Sequence, residues 1–299
     1  MAIKTKNQII NEEDIKRVKG LGCLKDKRYS DIFNVRVLTK NGKMTTSDVQ
    51  AIINAADKYG CGEVAFTARQ TIEIQGVQYE NIELLKEDLN QKNILIGGTG
   101  PKVRPVVSCK GTTCQYGLID TFSLSEQIHE VFYVGYHEVV LPHKFKIAVG
   151  GCPNNCVKPE LNDIGIIGQS IQHIDLNKCK SCKVCNVIDK CPMKAVEKIS
   201  DEIIINKEIC NNCGRCIKFC PFNAVEFEKA GYKVYIGGRW GKKTNKAEAL
   251  NKIFTNEEEV IEIIKSIIAL YKEEGLKGER FADTIARIGF KNIEHKLLG

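Results

Sequence analysis

Eight cysteines crowd into residues 179–220 of this 299-residue chain, in the runs CKSCKVCNVIDKCP and CNNCGRCIKFCP. Six more precede them, fourteen in all. The chain starts MAIKTKNQIINEEDIKRVKG, with acids among its lysines and no apolar stretch, so a secretory signal is not expected and a cytoplasmic location is. That compartment keeps thiols reduced, which argues against a disulfide framework and for metal ligation.

The spacing names the metal. Cys210-x2-Cys213-x2-Cys216-x3-Cys220-Pro is the run that holds [4Fe–4S] clusters in two-cluster ferredoxins. Cys179-x2-Cys182-x2-Cys185-x5-Cys191-Pro is the same pattern with two residues added before its last cysteine. One tight loop supplies three corners of a cubane, and the fourth comes from the partner motif, where proline turns the chain away. The ligand sets are therefore expected to cross. Cys179, Cys182, Cys185 and Cys220 would hold one cluster, and Cys210, Cys213, Cys216 and Cys191 the other. Zinc is the competing reading, and this spacing disfavours it.

Two further pairs stand earlier, Cys109-x4-Cys114 in SCKGTTCQYG and Cys152-x3-Cys156 in GGCPNNC. Each follows a predicted strand, KVRPVVSC or FKIAVGGC, that ends in a loop. Such loops are a platform on which four thiolates can meet a third cubane. Buried cysteines acting as small hydrophobes are the alternative. The pairing, the flanking glycines and the polar neighbours Thr112, Thr113, Asn154 and Asn155 argue against it. Cys23 and Cys61 lack such company and read as structural.

Around these motifs the chain reads as α+β. Residues 31–90 give strand, helix, strand, strand and helix: IFNVRVLT alternates, and TTSDVQAIINAADKYG opens on a Thr/Ser cap with Val49, Ile52, Ile53 and Ala56 at helical spacing. A helix is expected near 121–132. A long one over TNEEEVIEIIKSIIALYKEEG buries Val260, Ile261, Ile264, Ile267 and Ile268. The cysteine block interrupts a domain that resumes at GYKVYIGGRWGKK. The expected organisation is an extension over 1–30, a half-domain over 31–98, a domain made of 99–172 with 229–299, and an inserted two-cluster domain over 173–228. No run of 18 apolar residues exists, so no membrane span is expected. The formal net charge of +7 is scattered rather than striped, and no base-reading motif accompanies it, so nucleic acid is not expected as a partner.

With these motifs the sequence resembles the sirohaem-dependent sulfite and nitrite reductase superfamily, in its anaerobic and dissimilatory branch that carries a ferredoxin insert. The resemblance covers roughly residues 30–290. It implies a single reductase module: a ferredoxin-like half-domain and an α/β sirohaem domain, with the two-[4Fe–4S] ferredoxin domain inserted. By that match Cys109, Cys114, Cys152 and Cys156 bind a [4Fe–4S] cluster, and Cys156 also bridges to the iron of sirohaem. The x4 spacing of the first pair departs from the x5 of many assimilatory relatives.

The family binds its oxyanion with two arginines and two lysines. VRVLTKNG gives Arg36, KVRPVVSC gives Arg104, and LPHKFK gives Lys144 and Lys146 on one strand face. FTARQTIEI implies that Thr67 and Arg69 bind sirohaem carboxylates, and Thr112, Thr113 and Asn155 join the cofactor contacts. The implied reaction is six-electron reduction of sulfite to sulfide, with nitrite to ammonia as the alternative at the same site. A polyferredoxin carrying electrons with no substrate site is the non-catalytic alternative. GGTGPK fits no dinucleotide fingerprint, so electrons are expected from reduced ferredoxin or a partner subunit. Larger relatives carry two copies of the module, one supplying cations and the other cysteines. This chain carries both sets once, which implies a homodimer with shared active sites, or a degenerate hetero-partner.

Overall fold

The structure is a computed structural model that describes residues 3, 5, 6, 8–200 and 202–299. The other positions, four of them in the expected N-terminal extension, lie outside the described residues. The chain is α+β and divides into two compact units. The first comprises residues 1–107, 125–147 and 271–284; the second comprises 108–124, 148–270 and 285–299.

In the first unit α1 (Glu12–Gly20) starts at Asn11, whose side chain accepts the Asp14 N–H. Then come β1 (Cys23–Lys25), β2 (Ile32–Val37), α2 (Thr46–Tyr59), β3 (Val64–Phe66), β4 (Ile72–Gln78) and α3 (Ile82–Asn90). The strands form one antiparallel sheet of order β1-β2-β4-β3. Thr45 and Asp48 form a reciprocal capping box that fixes the start of α2. Phe33, Val35 and Val37 of β2 join Ile72, Ile74 and Val77 of β4 in a core closed by Ile52, Ala55, Ala56, Leu85 and Leu89.

The expected strand and helix order of residues 31–90 is the observed one. The buried stripe of α2 differs in detail: Val49 and Ile53 are 39% and 42% exposed. The arc facing the sheet is centred on Ile52 and Ala56, and Ile53 lies about 100° around the helix from Ile52. Cys23 and Cys61 are both buried, and burial pushes the Cys23 thiol up to about 12.

Next come β5 (Val107–Ser108), α4 (Thr121–Ile128), β6 (Ile147–Gly150) and β7 (Ile164–Ile174). The helix expected over 121–132 does not stop at its end; it widens into a π-helical turn over His129–Val134. The strand expected at LPHKFK is a single parallel bridge between Phe145 and Val103. Its alternation survives without a ladder: Phe145 is fully buried, and Lys144 and Lys146 on either side of it are half-buried.

The remaining elements are α5 (Asn186–Asp189), β8 (Val196–Ile199), β9 (Glu202–Ile205), β10 (Val225–Ile236), β11 (Glu248–Phe254), α6 (Glu257–Glu274), α7 (Phe281–Ile288) and α8 (Phe290–Leu298). A five-stranded sheet has the order β11-β10-β7-β6-β5. Residues 179–224 lie between β7 and β10, which pair antiparallel along their whole length. The cysteine block therefore springs from one end of a hairpin stem. It has its own β8–β9 hairpin and a small core of Val187, Val196, Ile203 and Val225, against which Cys179, Cys185, Cys191, Cys216 and Cys220 pack. On α6, Val260, Ile264, Ile267 and Ile268 are buried as expected, Ile261 is half-buried, and Ile263 and Leu270 join them. No helix among the described residues is long and apolar enough to cross a membrane.

Candidate metal centres and anion cavity

In the first unit, Arg36, Arg69, Arg104, Lys144 and Lys146 line one cavity of about 170 Å³, together with Thr71, Gly98 and Pro105. Arg36 stands on β2 directly opposite Glu73 on β4, and its guanidinium reaches the Glu73 carboxylate at 2.6 and 3.1 Å. Arg104 donates to the Gly98 carbonyl, as Arg36 also does at 3.3 Å. Among the described residues, the Nε of Arg104 is buried without a hydrogen-bond partner. Burial pushes the Arg104 guanidinium down to about 10, and the like charges of Arg36 and Arg280 add to this. A buried cation that is short of a partner and repelled by its neighbours suits an anion in the cavity.

Gly98 organises the arginines. Its φ is +83°, and a Cβ there would meet Pro105 at 3.0 Å and Arg36 at 3.2 Å. Its N–H donates to the Tyr133 hydroxyl at 2.9 Å, and Tyr133 is delivered by the π-helical turn after α4. GGTGPK thus serves as a backbone anchor for cations. Gly98, Glu73, Thr71 and Tyr133 were not among the expected site residues. The Arg36–Glu73 pairing was the most accessible of them, through opposed charges on two adjacent alternating strands.

Arg69, expected as a cofactor contact, lies in the same cavity wall and donates to the carbonyls of Pro105 at 2.5 Å and Ile147 at 3.4 Å. Thr67 does not line the cavity; its hydroxyl lies 2.7 Å from that of Thr71 and accepts the Arg69 N–H.

In the second unit, Cys109 and Cys152 sit just beyond β5 and β6. The Cys109 N–H donates to the Val149 carbonyl, and the Gly151 N–H donates to Cys109 Sγ at 3.1 Å. Burial pushes the Cys152 thiol up, and the sulfurs of Cys109, Cys156 and Cys114 push the same way, so the four are electrostatic neighbours. Cys156 is the exposed member of the four. Asn155, before it, has φ +58°; its side-chain amide donates to Glu160 at 2.6 Å, and its Oδ1 is buried with no partner.

Thr112 accepts the Phe122 N–H and donates to Asp120 at 2.7 Å, fastening the Cys109–Cys114 loop to the start of α4. Thr113 donates to the Lys110 carbonyl. Backbone contact supports the whole platform: a Cβ on Gly168 of β7 would sit 2.5 Å from the Gly151 carbonyl and 2.9 Å from Ile119. Gly168→Ala is therefore expected to cost about 1–3 kcal/mol through overpacking. It should also lower iron content by loosening the Cys109–Cys152 loops. Denaturant melts and iron analysis of the purified variant read both effects, and an unchanged iron content would contradict the second.

The cysteine block lines two cavities with four cysteines each. Cys179, Cys182, Cys185 and Cys220 line one cavity with Ile174, Val187 and Val225. Cys191, Cys210, Cys213 and Cys216 line another with Gln172, Val196 and Ile205. The backbone N–H groups of Ala195, Asn212 and Ala224 point at the sulfurs of Cys191, Cys210 and Cys220 at 3.3–3.4 Å. Ala195 and Ala224 hold matching places, four residues after the last cysteine of each run. Burial pushes the Cys216 thiol up to about 11, with Cys210 and Cys213 adding to it. Such thiols favour a ligand that takes up the thiolate charge, and N–H···S contacts are the protein's means of tuning a cluster.

Among the described residues, no three Cys, His, Asp or Glu side chains converge as a single metal ion demands. A cubane asks for a wider spacing, since each thiolate binds its own iron. Four thiols about an apolar-walled cavity fit that group.

Residues 99–298 match the family described as "Nitrite and sulphite reductase 4Fe-4S domain", and residues 26–92 match "Nitrite/Sulfite reductase ferredoxin-like half domain". The chain belongs to this reductase family. An uncharacterised protein of Methanocaldococcus jannaschii is 31% identical to this chain, over 94% of it and 98% of its own length. Coenzyme F420-dependent sulfite reductase of the same organism is 32% identical over 88% of this chain, which spans only 42% of that protein. An anaerobic sulfite reductase component of Salmonella typhimurium is 26% identical over 73% of this chain and 68% of its own. Among solved structures, dissimilatory sulfite reductase I shares the fold with a TM-score of 0.72 at 24% identity, over 90% of this chain and 69% of that one.

Proposed function

We propose that the protein is a sirohaem-[4Fe–4S] sulfite reductase that takes sulfite to sulfide with six electrons. The observation that carries this reading is the convergence of five cations on one cavity in a chain of the reductase family. Sulfite is a small dianion whose oxygens must leave as water. In this reading Arg104 and Arg36 hold it by charge-assisted hydrogen bonds, and Lys144 and Lys146 give protons to the departing oxygens. Cys109, Cys114, Cys152 and Cys156 would hold the cubane that Cys156 joins to sirohaem, with Arg69, Thr67, Thr112, Thr113 and Asn155 as further cofactor contacts. When bound, sirohaem and its cubane supply electrons to the sulfur; the protein positions them and sets the surrounding charge. The insert over 173–228 would be the ferredoxin domain with two more [4Fe–4S] clusters, fed by reduced ferredoxin or a partner subunit. In this reading the chain resembles the anaerobic sulfite reductase component of Salmonella typhimurium.

Nitrite reduction is the second reading, since nitrite suits the same cations; nitrite reductase of Bacillus subtilis is 24% identical over 86% of this chain, which spans only 24% of that protein. The active assembly in this proposal is a homodimer in the cytoplasm. In each site one copy gives the four cysteines and the other gives Arg36, Arg104, Lys144 and Lys146. An anaerobic absorption spectrum with iron and extracted-tetrapyrrole analysis, followed by turnover of sulfite and nitrite with a reduced viologen, tests the function. Iron–sulfur absorption without a tetrapyrrole would leave only an electron carrier. A fully active monomer would sink the shared site.

A further inference from the structure

The anion cavity shares a wall with a second cavity. Gly98 lines both: Arg36 and Arg104 stand on one side, and a hollow of about 180 Å³ lies on the other, in the same compact unit. Backbone bonds hold this wall against the end of β2 that carries Arg36. The Leu38 N–H donates to the Leu95 carbonyl at 2.8 Å, Ile96 bridges to Val37, and the Gly97 N–H donates to the Arg36 carbonyl at 3.0 Å. Tyr133, from the π-helical turn, lines the second cavity and accepts the Gly98 N–H at 2.9 Å. The fit is close, since a Cβ on Gly97 would collide with that hydroxyl.

The lining says what fits. Leu21 and Val103 join Leu38 and Ile96 in an apolar body, and Leu95 and Val134, 46% and 41% exposed, edge the opening. Lys102 lines the same cavity, half-buried, and its ammonium makes no hydrogen bond among the described residues. Its backbone carbonyl accepts the Phe145 N–H at 2.9 Å, which fixes where the side chain leaves the chain. His137 also lines the cavity, but its ring is already hydrogen-bonded to Glu138 at 2.7 Å. Apolar walls with one open cation select an apolar body carrying a single negative charge. A dianion would lose its water for too few donors.

We propose that this second cavity is a regulatory site for a small monocarboxylate with an apolar body, and that its occupancy tightens the hold on an oxyanion next door; the second half rests on the anion-cavity reading above. The carboxylate meets Lys102, and the body packs on the face of Gly97 and Gly98 turned away from the arginines. The Gly98 carbonyl accepts from both Arg36 and Arg104, so a ligand that steadies this peptide steadies both guanidinium groups. That ordering is a cost an oxyanion otherwise bears on binding. Coupling of about fivefold is expected, the low end for linked sites, because a single peptide carries it.

The test is anaerobic calorimetry on the purified full-length protein, with hexanoate and sulfite as the two probes. Hexanoate should bind once per chain with a negative heat-capacity change. Both 1-hexanol and hexyl phosphate should bind about tenfold more weakly. Lys102→Gln should bring hexanoate down to the level of hexanol, and Leu95→Trp, which fills the cavity from a half-exposed position, should abolish its binding. Saturating hexanoate should tighten sulfite about fivefold, and saturating sulfite should tighten hexanoate by the same factor. Tyr133→Phe, which removes the acceptor of the Gly98 N–H, should keep hexanoate bound and lose that factor. Wild-type protein that binds no hexanoate overturns the site, and hexanol bound as tightly as hexanoate overturns the acid class. Bound hexanoate with sulfite affinity unchanged overturns the coupling. Sulfite that binds in neither state overturns the anion-cavity reading instead, and the hexanoate titration alone then decides the site.

Discussion

Arg104→Ala is expected to lower kcat/KM for sulfite by about 10²–10³-fold, the range for removing one preorganised donor to a developing anion. Burial and like charge together mark Arg104 among the cavity cations. Its Nε is buried without a partner among the described residues, one of its terminal nitrogens donates to Gly98, and burial with like charge already pushes its proton off at about 10. The sign of the pH effect follows. A base with a depressed pKa binds its proton more weakly in the folded chain, so below about pH 10 the charged guanidinium strains the cavity, and a bound anion relieves that strain. As pH rises toward that value its hold on the proton, and with it its pull on sulfite, weakens. Sulfite should therefore raise the melting temperature of the wild-type protein at neutral pH, and this increment should shrink as pH rises through about 10. In Arg104→Ala the increment should be small throughout. Steady-state kinetics with a reduced viologen and melts with and without sulfite measure both effects. An unchanged kcat/KM would remove Arg104 from the reaction.

On the proposed function, Cys156→Ser is expected to abolish turnover of sulfite and nitrite while iron held elsewhere in the chain remains. Cys156 is the exposed one of its four thiols, and Asn155 before it is held in the left-handed region with its amide on Glu160. In the proposed site a serine oxygen would be a poor substitute for a thiolate ligand of iron. The variant should lose iron equivalent to one cluster and most of its extractable tetrapyrrole. Cys61→Ser is the control: Cys61 is buried, with its sulfur 2.9 Å from where a Cβ on Gly76 would stand. It should cost stability without changing iron content. Equal iron and activity in Cys156→Ser and wild-type protein would refute the assignment.

The grouping of the cysteines around two cavities follows their spacing because short loops leave little freedom. Once Cys179, Cys182 and Cys185 share a turn, the Cys-Pro of the other run is the natural fourth corner, and the cavities group the cysteines in that way. The α+β order of residues 31–90 was legible for a similar reason, since alternation in IFNVRVLT and the Thr45 cap are local signals. What was hidden depends on chain segments meeting. Gly98 holds two arginines only because a bend at positive φ brings it between β2 and the Arg104 segment. Tyr133 reaches Gly98 through a π-helical turn that no spacing rule announces. Lys144 and Lys146 were placed on a strand that is only one bridge long, because alternation reports an extended backbone and not the ladder beside it.

The Arg36–Glu73 pair bears on the order of assembly. Five like charges around one hollow would oppose its closure during folding, before any sulfite or tetrapyrrole arrives to balance them. Glu73, built into the neighbouring strand and 2.6 Å from Arg36, is a resident counter-ion that lets the hollow form empty. Glu73→Gln should turn the protein into one that ripens only when an anion is supplied, with oxyanions in the refolding buffer restoring its yield. The chain would then have traded an autonomous fold for a conditional one.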